Sequence, residues 1–331
     1  MSQQHRPNPG STANRPAHML TPTPGPVALA PLDAVRDIHR NALIDGGATI
    51  GDLGPDTKGL FFLDYFRAHE LAGILAEHPG IEWVQLPYAG VDAFGETIAE
   101  FGDRVLFTSA KGAYSEPVAE HALGLTIAAN KEFCMRARAT TWGPIGGQSL
   151  YEANVVIVGA GGIAIEYMKQ IAPYRCHITV VRRADLPVDG ADSTVTFEFL
   201  NDVLPQADVV LLAAANTKDT YKMMNAERLD LLKPNAVLIN IGRGPLVDSD
   251  ALDAALRAGK FFGAALDVTD PEPLPDDHPL WTNDRCLITP HVADTPDQVA
   301  YLLSLRVGHN VNVFLTQGED WQGLVDPASG Y

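Results

Sequence analysis

The chain has 331 residues, 46% of them hydrophobic and 20% charged, with a formal net charge of −17 at pH 7. Such a length suits two compact domains, because single hydrophobic cores stop growing near roughly 250–300 residues, and the composition is that of a globular chain rather than a disordered one. The negative charge argues against binding to nucleic-acid backbones or anionic lipid. No apolar run reaches the roughly 18 residues that span a bilayer.

Residues 1–26 are rich in Pro, Ser, Asn and Gln, lack a signal-peptide pattern, and are expected to form a disordered leader. Beyond them, short apolar runs alternate with amphipathic stretches. Val27–Ala30 reads as a strand and Ala34–Asp45 as a helix stopped by Gly46-Gly47. Strand Gly59–Leu63, helix His69–Glu77 and strands Trp83–Leu86 and Val105–Thr108 follow. A buried helix is expected from Glu116 and Pro117 through Ala128, because proline suits a first helical turn and the stretch is apolar on most sides. Trp142–Gln148 reads as a loop.

The second half alternates more clearly. Strands are expected at Val155–Val158, Ile178–Val181, Val209–Leu212, Val237–Asn240, Ala264–Leu266 and Leu287–Ile288. The intervening helices are a segment through Ile171, Ala226–Leu232 and Asp250–Arg257, and Thr295–Phe314 closes the chain as a long helix. This alternation predicts an α/β fold, doubly wound around parallel sheets. Cys134, Cys176 and Cys286 form neither a CxxC pair nor a cluster with zinc spacing, so free thiols in a reducing cytoplasm and no metal site are expected.

Val155–Val158 leads into Gly159-Ala160-Gly161-Gly162-Ile163-Ala164, a G-x-G-x-x-A turn that opens a helix. Gly159 permits the tight turn, Gly161 lets a pyrophosphate approach the backbone, and Ala164 takes the close-packing position. The helix start, with Gly162 and Ile163, offers free N–H groups and the positive end of the helix dipole to phosphates. A strand before, a helix after and a second strand on cue make this a dinucleotide fingerprint. The second strand ends in Arg182-Arg183, where NAD enzymes usually carry an acid for the ribose 2′-hydroxyl. Two guanidinium groups suit a 2′-phosphate, so NADP(H) is favoured. Asp185 keeps NAD(H) open.

Three further motifs lie at strand ends: Asn240-Ile241-Gly242-Arg243-Gly244, Leu266-Asp267-Val268 with Glu272 between prolines, and Thr289-Pro290-His291. Open α/β sheets bind ligands at such ends. In this ordered set, from about Trp83 to about Asp294, the chain resembles the D-isomer-specific 2-hydroxyacid dehydrogenase family. The resemblance implies that Arg243, Glu272 and His291 are catalytic, with Arg243 also binding substrate. It implies that Asp267, Thr217 and Ile241 join Gly159, Gly161, Gly162, Ile163, Arg182 and Arg183 at the cofactor, and that the Pro87–Asp92 loop, through Ala89 and Gly90, holds a carboxylate. It also implies a Rossmann nucleotide domain (116–294) inserted into a flavodoxin-like substrate domain (27–115 and 295–331), a homodimer with 133–150 as contact arm, and a small 2-keto or 2-hydroxy acid as substrate.

The chemistry suits the residue types. A guanidinium can pair with the acid's carboxylate and polarise its carbonyl. An imidazole with an ordinary pKa near 6.5 can supply or take the proton, and a carboxylate on its other nitrogen favours the protonated ring. Arg182-Arg183 and Pro279-Leu280-Trp281 look most like the glyoxylate/hydroxypyruvate reductase branch. A D-3-phosphoglycerate dehydrogenase and a dinucleotide-sensing corepressor are the alternatives. Retention of all three catalytic residue types argues against the corepressor. Asp294, Ala164 and Ala213-Ala214-Ala215-Asn216-Thr217 depart from the family pattern.

Overall fold

The alternating apolar runs become two parallel sheets in a computed structural model that describes residues 20–327. The chain divides into two compact units, Met1–Ser115 with Thr295–Tyr331, and Glu116–Asp294.

In the first unit the strands are β1 (Val27–Ala30), β2 (Gly59–Phe62), β3 (Trp83–Gln85) and β4 (Leu106–Thr108), hydrogen-bonded in that order and all parallel. Ile50 forms a further parallel bridge to Val27. Counted as a one-residue strand on the open edge of β1, it gives the flavodoxin-like order 2-1-3-4-5. The helices are α1 (Asp37–Asp45), α2 (Ala68–Glu77) and α3 (Gly95–Phe101), and the unit is completed by the last helix of the chain, Pro296–Thr316. Every residue of these four strands is buried, which requires cover on both faces of the sheet.

The second unit begins with α4 (Ser115–Asn130) and α5 (Phe133–Arg138). Its strands are β5 (Asn154–Val158), β6 (His177–Arg182), β7 (Ser193–Thr196), β8 (Val209–Leu212), β9 (Val237–Asn240), β10 (Gly263–Leu266) and β11 (Cys286–Ile288). Between them run α6 (Gly162–Ile171), α7 (Leu200–Val203), α8 (Ala226–Leu229) and α9 (Ser249–Arg257), and Pro296–Thr316 is therefore α10. The sheet order β11-β10-β9-β8-β5-β6-β7 is all parallel and reverses between β5 and β8, the switch point of a Rossmann sheet. Alternate residues feed two cores. Val156, Val158 and Leu212 pack on one face, and Val155, Ile157 and Leu211 pack on the other.

Several expectations change. Of the leader, residues 1–19 lie outside the described residues. Disorder does not hold for residues 20–26: Pro22 is buried, Thr23 N–H donates to Glu82 Oε2 at 2.7 Å, and the Pro26 carbonyl accepts from Lys58 and Gly59. The prolines there lower the entropy that ordering costs. The helix expected at Ala34–Asp45 starts only at Asp37, because Leu32–Ala34 forms a separate 3-10 turn and Val35 and Arg36 are extended. The helix expected at Ala226–Leu232 stops at Leu229, where the N–H groups of Leu231 and Leu232 bond three residues back, to Arg228 and Leu229, rather than four. Helix α3 and strand β7 were not anticipated. β7 is a polar, partly exposed edge strand without the apolar run that marks its neighbours. No helix among the described residues is long and apolar enough to cross a membrane.

Candidate active site

All three expected catalytic side chains sit in the second unit, on loops at the C-terminal ends of β9, β10 and β11. Arg243 follows β9. Asn240, fully buried, clamps this loop by accepting from Gly242 N–H at 3.1 Å and donating to the Arg243 carbonyl at 2.9 Å. Glu272 follows β10, and Gly244 explains how the two loops come together. A Cβ on Gly244 would lie 1.7 Å from the Thr269 carbonyl oxygen, so only glycine permits this approach.

His291 follows β11. Its Nδ1 lies 2.6 Å from Glu272 Oε1, the distance of a charge-assisted bond. This bond is the main cause that raises the His291 pKa above its ordinary value and lowers that of Glu272. The Arg243 guanidinium lowers both, so its charge is felt at the pair. The site therefore contains a cation, an acid–base group and the carboxylate that orients it.

Asp267 supports the His291 loop. His291 has a φ of 52°, a left-handed conformation that costs a non-glycine residue about 1–2 kcal/mol. The Asp267 carbonyl accepts from His291 N–H at 2.9 Å. Its carboxylate accepts from Thr289 Oγ1 at 2.6 Å, Val292 N–H at 3.0 Å and Ala293 N–H at 3.1 Å. Burial opposes ionisation of Asp267, but bonds from His121, Thr289 and Val292 outweigh it and hold the carboxyl below its ordinary range. Burial raises the Asp294 pKa, against the attraction of His291.

The Gly-rich turn lies at the switch point. Gly159 has a φ of 115°, and a Cβ there would lie 2.4 Å from the Ala213 carbonyl. At Gly161 a Cβ would meet nothing within 4 Å among the described residues, so this face of the turn is open. Ala164 is fully buried, as its packing role demands. The N–H groups of Gly162 and Ile163 open α6 and have no acceptor among the described residues. Across the switch point, Asn216, Thr217, Lys218 and Tyr221 line a cavity of about 370 Å³, and the buried Asn216 Oδ1 has no donor among the described residues. These features fit a dinucleotide.

The other expected contacts differ in kind. Thr217 is engaged with Thr220, by N–H to Oγ1 at 2.8 Å and hydroxyl to hydroxyl at 3.0 Å. The Ile241 side chain belongs to the hydrophobic core and its N–H donates to the Leu212 carbonyl at 3.2 Å, so only its carbonyl is left to face a ligand. Arg182 ends β6 and Arg183 is exposed, and neither forms an ion pair among the described residues.

A family model for the D-isomer specific 2-hydroxyacid dehydrogenase, NAD binding domain, matches residues 123–293. The chain belongs to this family. It is 38% identical over 257 residues to an uncharacterized protein in the proB 3′ region of Corynebacterium melassecola, covering 76% of this chain and 84% of that one. It is 31% identical over 234 residues to the glyoxylate reductase of Thermofilum pendens, covering 67% and 68%. A D-isomer specific 2-hydroxyacid dehydrogenase from Xanthobacter autotrophicus, solved with NADPH and MES, superposes with a TM-score of 0.77 at 25% identity, over 93% of this chain and 99% of that one. As a 2-hydroxyacid dehydrogenase, the chain is an oxidoreductase that uses a nicotinamide dinucleotide.

In the first unit, the loop expected to hold a carboxylate has its carbonyls tied inward. Leu86 O accepts from Gln85 Nε2 at 2.9 Å, Pro87 O from the Tyr114 hydroxyl at 2.9 Å, and Tyr88 O from Ala110 N–H at 3.0 Å. The N–H groups of Ala89 and Gly90 have no acceptor among the described residues. Sequence reasoning missed Asn240, Gly244 and Thr289 as supports, although all three lie within the motifs it marked. It also missed His121, whose only signal is a polar residue beside Glu120 in an otherwise apolar part of α4.

Proposed function

We propose that this protein is an NADP(H)-preferring reductase of small 2-keto acids of the glyoxylate/hydroxypyruvate type, working as a cytoplasmic homodimer. The observation that carries the reaction is the 2.6 Å bond between His291 Nδ1 and Glu272 Oε1, in a site whose third member is the Arg243 guanidinium. When bound, the nicotinamide supplies or accepts the hydride. The chain's own groups do the rest. Arg243 polarises the carbonyl and neutralises charge that grows on its oxygen. His291 donates a proton from Nε2 to that oxygen, and takes it back in the oxidative direction. Glu272 keeps Nδ1 protonated and the ring oriented. In the first unit, the N–H groups of Ala89 and Gly90 are suited to a carboxylate.

The 2′-phosphate preference is supported by Arg182 and Arg183, which have no carboxylate partner among the described residues. NADPH in the Xanthobacter structure and the glyoxylate reductase name of the Thermofilum relative agree with this reading. Self-association is supported by Trp142 (94% exposed) and Ile145 (101% exposed) within the 133–150 arm. Three free thiols suit a reducing compartment.

The test follows absorbance of the reduced nicotinamide with glyoxylate, hydroxypyruvate and pyruvate, using NADPH and NADH. Turnover is expected with NADPH and one of the first two acids, and is expected to vanish in His291→Ala and Arg243→Ala while dinucleotide binding persists. Tight dinucleotide binding without turnover of any 2-keto acid would overturn the proposal. Light scattering of wild type and Trp142→Ser reads the dimer.

A further inference from the structure

His121 lies on α4, more than a hundred residues from Arg243, Glu272 and His291, and its side chain is only 22% exposed. Its Nε2 is 3.0 Å from Thr289 Oγ1 and 3.3 Å from Asp267 Oδ1. The proton inventory decides the direction of these contacts. Thr289 has one hydroxyl proton, and at 2.6 Å it goes to the Asp267 carboxylate, which can only accept. Thr289 Oγ1 is then an acceptor toward His121, so Nε2 must carry hydrogen. The imidazole is thus held as a donor shared between Thr289 and Asp267. Asp267 in turn receives the N–H groups of Val292 and Ala293, and its carbonyl takes that of His291. A side chain that only filled space on α4 would need no such alignment.

We infer that His121 is a positioning residue, which through Thr289 and Asp267 fixes the left-handed backbone from which His291 presents its imidazole. It contacts neither substrate nor the reacting proton. The inference rests on the role given to His291 above. Its consequence is a split between rate and binding: loosening this support misplaces the proton donor, whereas the Gly159–Ala164 turn lies elsewhere on the sheet and keeps its hold on the dinucleotide.

Two variants separate hydrogen bonding from volume. His121→Leu fills comparable space without a donor, and His121→Gln places an amide N–H near the position of Nε2. His121→Leu is expected to lower kcat about tenfold, since small displacements of a reacting group are costly, with the cofactor KM little changed. His121→Gln is expected to recover most of the rate. Long-range ¹H–¹⁵N spectra of the full chain, recorded without cofactor, read the same contact independently of turnover. They should show His121 protonated at Nε2, and His291 ring signals that shift and broaden in His121→Leu but hold in His121→Gln. A wild-type rate in His121→Leu, a His121→Gln variant as impaired as His121→Leu, or a His121 ring protonated only at Nδ1 would each overturn the inference. A wild type that turns over no 2-keto acid would instead refute the proposed function, while the ring spectra would still decide whether His121 supports the His291 loop.

Discussion

Replacing Glu272 with Gln keeps the shape of the side chain and removes its charge. The bond to His291 Nδ1 is short, at 2.6 Å, but the two side chains are 42% and 53% exposed. A charge-assisted bond contributes about 1.5–3 kcal/mol when well shielded, and solvent screening at this exposure reduces it to about 1 kcal/mol. That is about a fivefold change in an equilibrium, at 1.36 kcal/mol per tenfold. The sign follows from the directions of the shifts. The folded pKa of His291 is raised, so the pair's contribution is complete below the ordinary histidine value of 6.5 and is lost as pH rises through the raised value. The folded pKa of Glu272 is lowered, so its contribution is complete above 4.5 and is lost as pH falls through the lowered value. In the proposed reaction reduction needs protonated His291, so its rate should hold past pH 6.5 before declining. In Glu272→Gln the decline should begin at lower pH, with kcat/KM about fivefold below wild type on the alkaline side and closer to it in acid. The assay is kcat/KM for glyoxylate reduction across the pH range, with each variant's thermal midpoint as a folding control. An alkaline limb at the same pH in both proteins would refute the argument that Glu272 sets the protonation of His291.

Three other variants probe the cofactor and loop geometry. Replacing Arg182 and Arg183 together with Ala should raise the KM for NADPH at least about tenfold, the value of a charge-assisted contact, with little change for NADH. An equal effect on both would remove the 2′-phosphate argument. Gly244→Ala puts a methyl group 1.7 Å from the Thr269 carbonyl and should lower both stability and kcat. Strain of about 1–3 kcal/mol, at roughly 2–4 °C per kcal/mol for a domain of this size, gives a fall of several degrees in thermal midpoint. An unchanged midpoint would show that the two loops are not in contact. Gly159→Ala must accept a φ of 115° and a 2.4 Å approach to the Ala213 carbonyl, so dinucleotide affinity should fall measurably by titration fluorimetry, and retained affinity would refute the role of the tight turn.

Sequence and tertiary structure divide along a physical line. Whatever depends on neighbours in the chain could be read directly. The apolar runs of β5, β8 and β9 announce buried parallel strands, and the G-x-G-x-x-A run announces a tight turn, which a side chain at Gly159 would block. Arg243, Glu272 and His291 declare themselves as residue types at strand ends. Where the local signal is weak, the reading failed. β7 is too polar to mark itself, and the Ile50 bridge is a single residue that only its neighbour β1 makes into part of a sheet. What brings His121 to Asp267 and Thr289, and Gly244 against Thr269, is the order in which the strands lie side by side. Side-chain periodicity says which face of a strand is buried but not which strand lies next to it, so these meetings between distant residues were decided only when the sheet formed.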